Sequence, residues 1–287
     1  MPTADDPEPG ESLAPAVVGR LRSAGCVFAE EEAALILAQA GDEVEVDRLA
    51  TALEQGLPLE HVLGWAELGG VRVALEPGVF VPRRRTELMV GAAVSLGLAV
   101  SAGHATVVLL DLCCGSGAVA LAVGDALRRA GVVPDVTAAD LDPVAVRCAA
   151  RNLPGARVLQ SDLFAALPDD LRGRVDVLTA NVPYVPTTAL ALMPREAREH
   201  EPPLALDGGD DGLAVLRRVA AEAPDWLAPG GAVLFEAGER QVPDAVAALA
   251  DAGLAPDVRT DDDLGAVVLV GTAVPGTRPG SGTRPRR

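Results

Sequence analysis

The sequence predicts an α/β fold with a mostly parallel sheet, a small N-terminal helical domain in front of it and a β-hairpin between the two. Three observations carry that expectation. From about residue 84 to residue 271, apolar strand-like runs alternate with helix-like segments, and such alternation calls for parallel strands covered by helices on both faces. Residues 11–63 instead keep a helical period. Between these regions, Gly69-Gly70 precedes an alternating Val71, Val73, Leu75 run, which is a hairpin signal.

In chain order, residues 1–12 are acidic and Pro-rich, unlike a signal peptide. Leu13, Val17 and Leu21 then fall four apart, and Val46, Leu49 and Leu53 follow the same period, giving helices with one apolar face. Ala33 and its neighbours supply another such face after Glu30-Glu31-Glu32, whose charge suits a helix N-terminus. Gly41 and Gly56 are plausible stops. Residues 1–64 are therefore expected to form the helical domain and residues 65–82 the connector, in which Pro77-Gly78 turns the chain into Val79-Phe80-Val81. Residues 83–274 carry the alternating part. Strands are expected over 106–112, 136–139, 157–160, 175–180, 231–236 and 264–271, the last antiparallel to the rest. Helices are expected over 118–130, 143–152, 212–223 and 242–252, with Trp226 packing nearby. Residues 275–287 contain only Pro, Gly, Ser, Thr and Arg, have no side chain able to build a core, and are expected to be disordered.

Composition narrows the function. With 49 % apolar residues in 287, there is ample material for a core. Acids outnumber bases 41 to 24, a net charge of −17 that argues against stable binding to nucleic acid. The chain has no lysine, which removes Schiff-base chemistry and a lysine-bearing phosphate loop. Its three histidines (His61, His104, His200) lie far apart, and its four cysteines lack the spacing of a zinc site, so no metal is expected. The few cysteines fit a reducing cytoplasm. Residues 91–110 carry no Asp, Glu or Arg, long enough for a membrane span. Ser101-Ala102-Gly103-His104 interrupts them, so a buried helix running into a buried strand is the reading, without a membrane.

The chemistry-bearing residues begin at Asp111-Leu112-Cys113-Cys114-Gly115-Ser116-Gly117, which follows a buried strand and opens a helix. Gly115 and Gly117 allow the backbone to approach a ligand. Alone, this turn also fits a dinucleotide site. The next strand ends at Asp140, 25 residues past Gly115, where a carboxylate can accept hydrogen bonds from both ribose hydroxyls of a nucleoside. Asp142-Pro143 can cap the following helix and leaves Asp140 free for that task. Two features favour S-adenosyl-L-methionine over a nicotinamide dinucleotide. Asp111 would repel a pyrophosphate and welcome an ammonium. Asn181-Val182-Pro183-Tyr184, ending the fourth strand, suits a planar amide or amine nitrogen. The Asn181 oxygen and the Val182 carbonyl can accept its two N–H bonds, Pro183 stiffens the turn, and Tyr184 can stack on the flat group. No dedicated base is needed, because the proton can leave after methyl transfer.

With these residues in view, the chain resembles the class I S-adenosylmethionine-dependent methyltransferases of the HemK/PrmC type, the protein-(glutamine-N5) methyltransferases that modify peptide chain release factors. The resemblance runs from the helical region to about residue 272. It rests on Phe80-Val81-Pro82-Arg83 with Thr86-Glu87, the 111–117 loop, Asp140, Ser161-Asp162-Leu163-Phe164, Asn181 to Tyr184, and Phe235-Glu236-Ala237-Gly238, in that order. It implies a seven-stranded, Rossmann-like sheet and a helical domain that docks a protein substrate, in an enzyme of translation termination; a cytoplasmic monomer is expected. It further implies that residues 113–117 wrap the methionine part of the cofactor, that Asp140 holds the ribose, and that Asp162 and Leu163 lie beside adenine. Asn181, Pro183 and Tyr184 would receive the glutamine, and Asn181 would also border the cofactor.

Three departures mark a divergent branch. Val182 stands where the family usually has proline, Cys113 replaces its first loop glycine, and Arg83-Arg84-Arg85-Thr86-Glu87 replaces Arg-Pro-x-Thr-Glu. Alternatives at this level are an N6-adenine DNA methyltransferase, which shares a similar tetrapeptide, and a catalytically silent cofactor-binding paralogue. Cys113 and Cys114 are candidates for redox sensitivity or, more simply, for loop packing. Arg83, Arg84 and Arg85 offer a small anion site. The acids over 207–211 and 261–263 read as solvated loops rather than metal ligands.

Overall fold

The computed structural model describes residues 9–101 and 106–274. The expectations for residues 1–8, His104 and the 275–287 tail lie outside that range. Four helices come first: α1 (Pro9–Ser23), α2 (Ala29–Gln39), α3 (Glu43–Glu54) and α4 (Leu59–Leu63). Val17, Leu21, Ile36, Val46, Leu49 and Leu53 meet in one small core, as their spacing requires. Asp42 caps α3 by accepting from the Glu45 N–H at 2.8 Å, and Gly56 at φ 87° follows its end.

The hairpin β1 (Trp65–Leu68) and β2 (Val71–Ala74) follows, turning on Gly69 and Gly70 at φ 57° and 77°. Then come α5 (Glu87–Ser101), β3 (Thr106–Leu112), α6 (Ala118–Arg129), β4 (Val133–Asp140), α7 (Pro143–Asn152), β5 (Arg157–Gln160) and β6 (Val175–Ala180). Two short helices, α8 (Arg195–His200) and α9 (Pro203–Leu206), precede α10 (Ala214–Glu222), β7 (Leu227–Glu236), α11 (Val242–Asp251), β8 (Leu254–Asp261) and β9 (Ala266–Ala273). The seven-stranded sheet has the order β5-β4-β3-β6-β7-β9-β8, and only β9 runs against the others.

Period-two alternation distributes the core. Val107 and Leu109 of β3, with Ala232 and Leu234 of β7, pack under α5 and α6. Val108, Leu110, Leu112, Val233 and Phe235 face α10 and α11. Burying each such Leu or Val contributes about 1.5–3 kcal/mol. The apolar stretch from residue 91 divides into α5 and β3, and no described helix is long and apolar enough to cross a membrane. One sheet strand escaped direct reading of the sequence. β8 is an edge strand with mostly exposed residues and Pro256 in its middle, so it lacks apolar alternation.

This topology gathers the strand ends. From β3 the chain moves outward through β4 and β5, then returns to place β6 on the other side of β3. That reversal opens a crevice at the carboxyl edge, the usual ligand position of such sheets. Leu112 pairs with both Ala139 and Ala180, and Ala180 pairs with Phe235, so the loops after β3, β4, β6 and β7 leave from one level.

Candidate active site

The crevice is a cavity of about 1380 Å³, counted out to its mouth. Asp111, Cys113, Cys114, Gly115, Ser116, Asp140, Asp162, Leu163, Asn181, Val182, Pro183 and Tyr184 all line it. Gly117 does not. Its φ is 77°, and a Cβ there would stand 2.9 Å from Leu153 Cδ1 and 3.3 Å from Ala149 Cβ, so this glycine lets α6 approach α7. Gly115, at φ 54°, has open space where a Cβ would be.

One half of the cavity is acidic. Asp140 accepts from the Gly115 N–H at 2.8 Å and the Asp142 N–H at 2.9 Å, which clips the glycine loop to the end of β4. Asp142 caps α7 through the Val144 N–H, with Pro143 in the first turn. Burial pushes the Asp140 carboxyl above its usual range. Asp111 is buried beneath the loop, where it accepts from Thr179 Oγ1 at 2.7 Å and weakly from the Ala120 N–H at 3.3 Å. Burial raises it to about 7, against the opposing pull of those two bonds. Burial and the neighbouring acids push the Cys113 and Cys114 thiols well above their usual value, so neither is a ready thiolate. Cys113 at φ 53° and Leu163 at φ 52° hold the left-handed conformation that side chains rarely adopt. Asp162 pairs with Arg218 at 2.9 Å at the same rim.

The other half is built on the tetrapeptide after β6. The Asn181 side-chain amide has no hydrogen-bond partner among the described residues, although it sits in the cavity wall. Val182 buries its side chain in the core beneath, so the departure at this position changes packing and leaves a backbone carbonyl in place. A glycine loop supports the turn from behind. A Cβ on Gly208 would lie 2.7 Å from the Pro183 carbonyl oxygen, and one on Gly212 would collide with that of Tyr184. Gln241 Nε2 donates to the Tyr184 and Asp211 carbonyls, each at 2.9 Å.

The sequence named several further residues here without showing what they support. Glu236, at the end of a strand buried along its last six residues, accepts from Arg85, Thr86 and Tyr184. An acid closing such a strand needs partners, and that was the available signal. Arg83 pairs with buried Glu201 and Arg85 with Glu236, whereas Arg84 has no ion pair among the described residues. The suggested anion site therefore has two of its three charges already paired. Asp207 accepts from Thr187 and the Gly209 N–H, and Asp211 from the Leu213 N–H and Arg217, so both acids brace the loop behind Tyr184.

A family model described as ribosomal protein L11 methyltransferase (PrmA) matches residues 94–199. Among curated relatives, the release factor glutamine methyltransferase of Streptomyces coelicolor is 40 % identical over 186 residues, 64 % of each chain. A 4-amino-L-phenylalanine/4-methylamino-L-phenylalanine methyltransferase of Streptomyces pristinaespiralis is 38 % identical over 64 % of this chain and 62 % of its own. These matches thus span somewhat less than two thirds of the relatives' length. The match to the release factor glutamine methyltransferase of Deinococcus radiodurans is longer, 35 % identical over 78 % of this chain and 80 % of that one. Among solved structures, a 16S rRNA N2 G1207 methyltransferase of T. thermophilus, in complex with AdoMet and guanosine, shares the fold with a TM-score of 0.50. It is 19 % identical and covers 73 % of this chain and 49 % of its own. That match covers most of both chains, this chain sets a sheet, a glycine loop and the tetrapeptide around one cavity, and the chain belongs to the release factor glutamine methyltransferase family.

Proposed function

We propose that the cavity binds S-adenosyl-L-methionine and that the protein methylates the side-chain amide nitrogen (N5) of a glutamine in a peptide chain release factor. The observation that carries this reading is the unpartnered Asn181 amide in the wall of the cavity that Asp111 and Asp140 also line. The donor set fits the cofactor. Each Asp140 oxygen uses one lone pair on a backbone N–H and keeps another for a ribose hydroxyl. Gly115 leaves its backbone open to a ligand, and Asp111 offers a carboxylate to the methionine ammonium. Asp162 and Leu163 flank the adenine end, Cys113, Cys114 and Ser116 border the methionine end, and Gly117 acts through packing.

When bound, the cofactor supplies an electrophilic methyl group on its sulfonium. The chain's own residues position the acceptor. An amide nitrogen is a weak nucleophile because its lone pair is delocalised, so alignment is the main resource, able to contribute up to ~7–11 kcal/mol. Asn181 Oδ1 and the Val182 carbonyl accept the two N–H bonds, Pro183 stiffens the turn, and the Tyr184 ring stacks on the carboxamide plane. Removing the Asn181 acceptor leaves a buried donor unpaired, at a cost of about 1–3 kcal/mol. Residues 1–64 serve as the docking domain for the protein substrate. The enzyme acts as a cytoplasmic monomer with no stable nucleic-acid partner, consistent with its charge of −17.

Intact-mass analysis of release factors incubated with labelled cofactor tests this. One added methyl on a glutamine is expected, and Asn181→Ala should abolish it while calorimetry still detects cofactor binding. Absence of cofactor binding by the wild type overturns the reading. The S. pristinaespiralis relative motivates one competing acceptor, the amine of 4-amino-L-phenylalanine. Its methylation in place of the release factor would reassign the substrate. Label in DNA would point to adenine, and binding without any turnover to a silent paralogue.

A further inference from the structure

The acceptor wall holds one polar group that the proposed reaction leaves unused, the hydroxyl of Tyr184. It donates to Glu236 Oε1 at 2.7 Å and accepts from Arg85 Nη2. Glu236 is 2 % exposed and collects two further donors, Arg85 Nε at 2.7 Å on Oε1 and Thr86 Oγ1 at 2.7 Å on Oε2. All its partners donate, so the carboxylate is the shared acceptor and the phenol keeps its proton. The Arg85 guanidinium carbon lies 5.5 Å from the Tyr184 ring centroid. With its proton given to Glu236 and its oxygen accepting from Arg85, the hydroxyl is satisfied inside the protein.

We propose that Arg85 and Glu236 are positioning residues that hold Tyr184 by its hydroxyl, so that only the face of the ring meets the acceptor group. This deepens the reading above and rests on it for the identity of the acceptor. Arg85 occupies the unspecified position of the Arg-Pro-x-Thr-Glu pattern, so the resemblance assigns it no role, and the role is read from its contacts in this chain. It fixes the plane of a stacking surface from the edge of the ring, while Gln241 and the 208–212 loop fix its backbone. A ring held in one plane favours flat acceptors over tetrahedral ones. The hydroxyl does not take the proton released after methyl transfer, which leaves to solvent.

Tyr184 is the only tyrosine, so the ultraviolet phenolate band reports it alone. Burial and Glu236 hold its titration above the ordinary tyrosine range. Glu236→Gln should bring the onset of the band to lower pH in a variant that circular dichroism shows to be folded. An unchanged onset overturns the latch. This measurement needs no substrate, so it decides the proposal even if no glutamine is methylated. Should Glu236→Gln fail to fold, a kinetic cycle on the exposed partner decides instead. Arg85→Ala and Tyr184→Phe are each expected to lower kcat about tenfold with a much smaller change in acceptor KM, and the double variant to be no worse than either. Multiplicative losses, or an Arg85→Ala effect confined to KM, would mean that Arg85 touches the substrate directly and would overturn the proposal.

Discussion

Asp111→Asn should make the protein more stable at alkaline pH, the reverse of what removing a hydrogen-bonded aspartate usually does. Asp111 is buried, and its carboxyl sits at about 7 where an ordinary aspartate lies at 3.8. The folded state therefore binds a proton between those values that the unfolded state has released. Stability must fall as pH rises through that window and level off above about 7. A shift of about three units corresponds to roughly 4 kcal/mol. Asparagine removes this charge penalty at every pH. Its oxygen can accept from the Ala120 N–H and its amide can donate to Thr179 Oγ1, so the hydrogen bonds have replacements. Urea unfolding of both proteins from about pH 4 to about pH 8 isolates the effect, because every other titrating group is common to the two. The stability difference should grow in favour of the variant across the window, approaching about 2–4 kcal/mol, then plateau. A difference that stays flat refutes the buried-carboxyl argument. The same group ties ligand binding to pH. An ammonium beside Asp111 draws off its proton, so wild-type affinity for the cofactor should rise with pH up to about 7, and Asp111→Asn should reduce that rise to the part that Asp140 contributes.

Three further substitutions follow from the packing and the hydrogen bonds. Gly117→Ala forces a Cβ against Leu153 at a positive φ and should cost about 1–3 kcal/mol in denaturant unfolding. Gly115→Ala carries the backbone strain without the clash, and its methyl points into open space. It should cost about 1 kcal/mol of stability yet weaken cofactor binding more than Gly117→Ala does, which paired calorimetry and unfolding curves would resolve. Asn152→Ala removes the side chain that accepts from the Ala74 N–H and donates to the Ala74 and Ser116 carbonyls. A loss of about 1–3 kcal/mol is expected, with faster hydrogen exchange at the Ala74 amide. Exchange unchanged at that amide would mean that the hairpin is held by its apolar contacts alone.

What the sequence could and could not convey divides by the range of the interaction. The helical period of residues 11–63, the Gly69-Gly70 turn and the alternation from residue 84 are local patterns, and each became the expected element. The carboxyl-edge cavity was legible too. A parallel sheet places the ends of β3, β4 and β6 at one rim, and Asp111, Asp140 and Asn181 stand at or next to those ends. Gly117 shows where local reasoning stops. A glycine in a loop before a helix serves ligand approach or helix packing equally well, and only the position of Leu153 decides. β8 was hidden because an edge strand meets solvent and needs no apolar face.

The acceptor wall was the least legible part, for a physical reason. Its contacts join residues far apart in the chain: Arg85 to Tyr184 across 99 positions, Thr86 to Glu236 across 150, and Gln241 to Tyr184 across 57. No local period encodes such pairs. A composition can still announce that they must exist. Glu236 closes a fully buried run, and a carboxylate there is tolerable only with donors on its oxygens. With no lysine anywhere in the chain, arginine is the one permanently charged side chain that can supply a cation. Its fork reaches Glu236 and the Tyr184 hydroxyl together, whereas an ammonium on a flexible stem would not fix both at once. Arg85→Lys should therefore retain the neutralising charge and the stability of the wild type, yet lose much of the positioning effect. A lysine variant with wild-type kcat would show that charge alone holds the tyrosine.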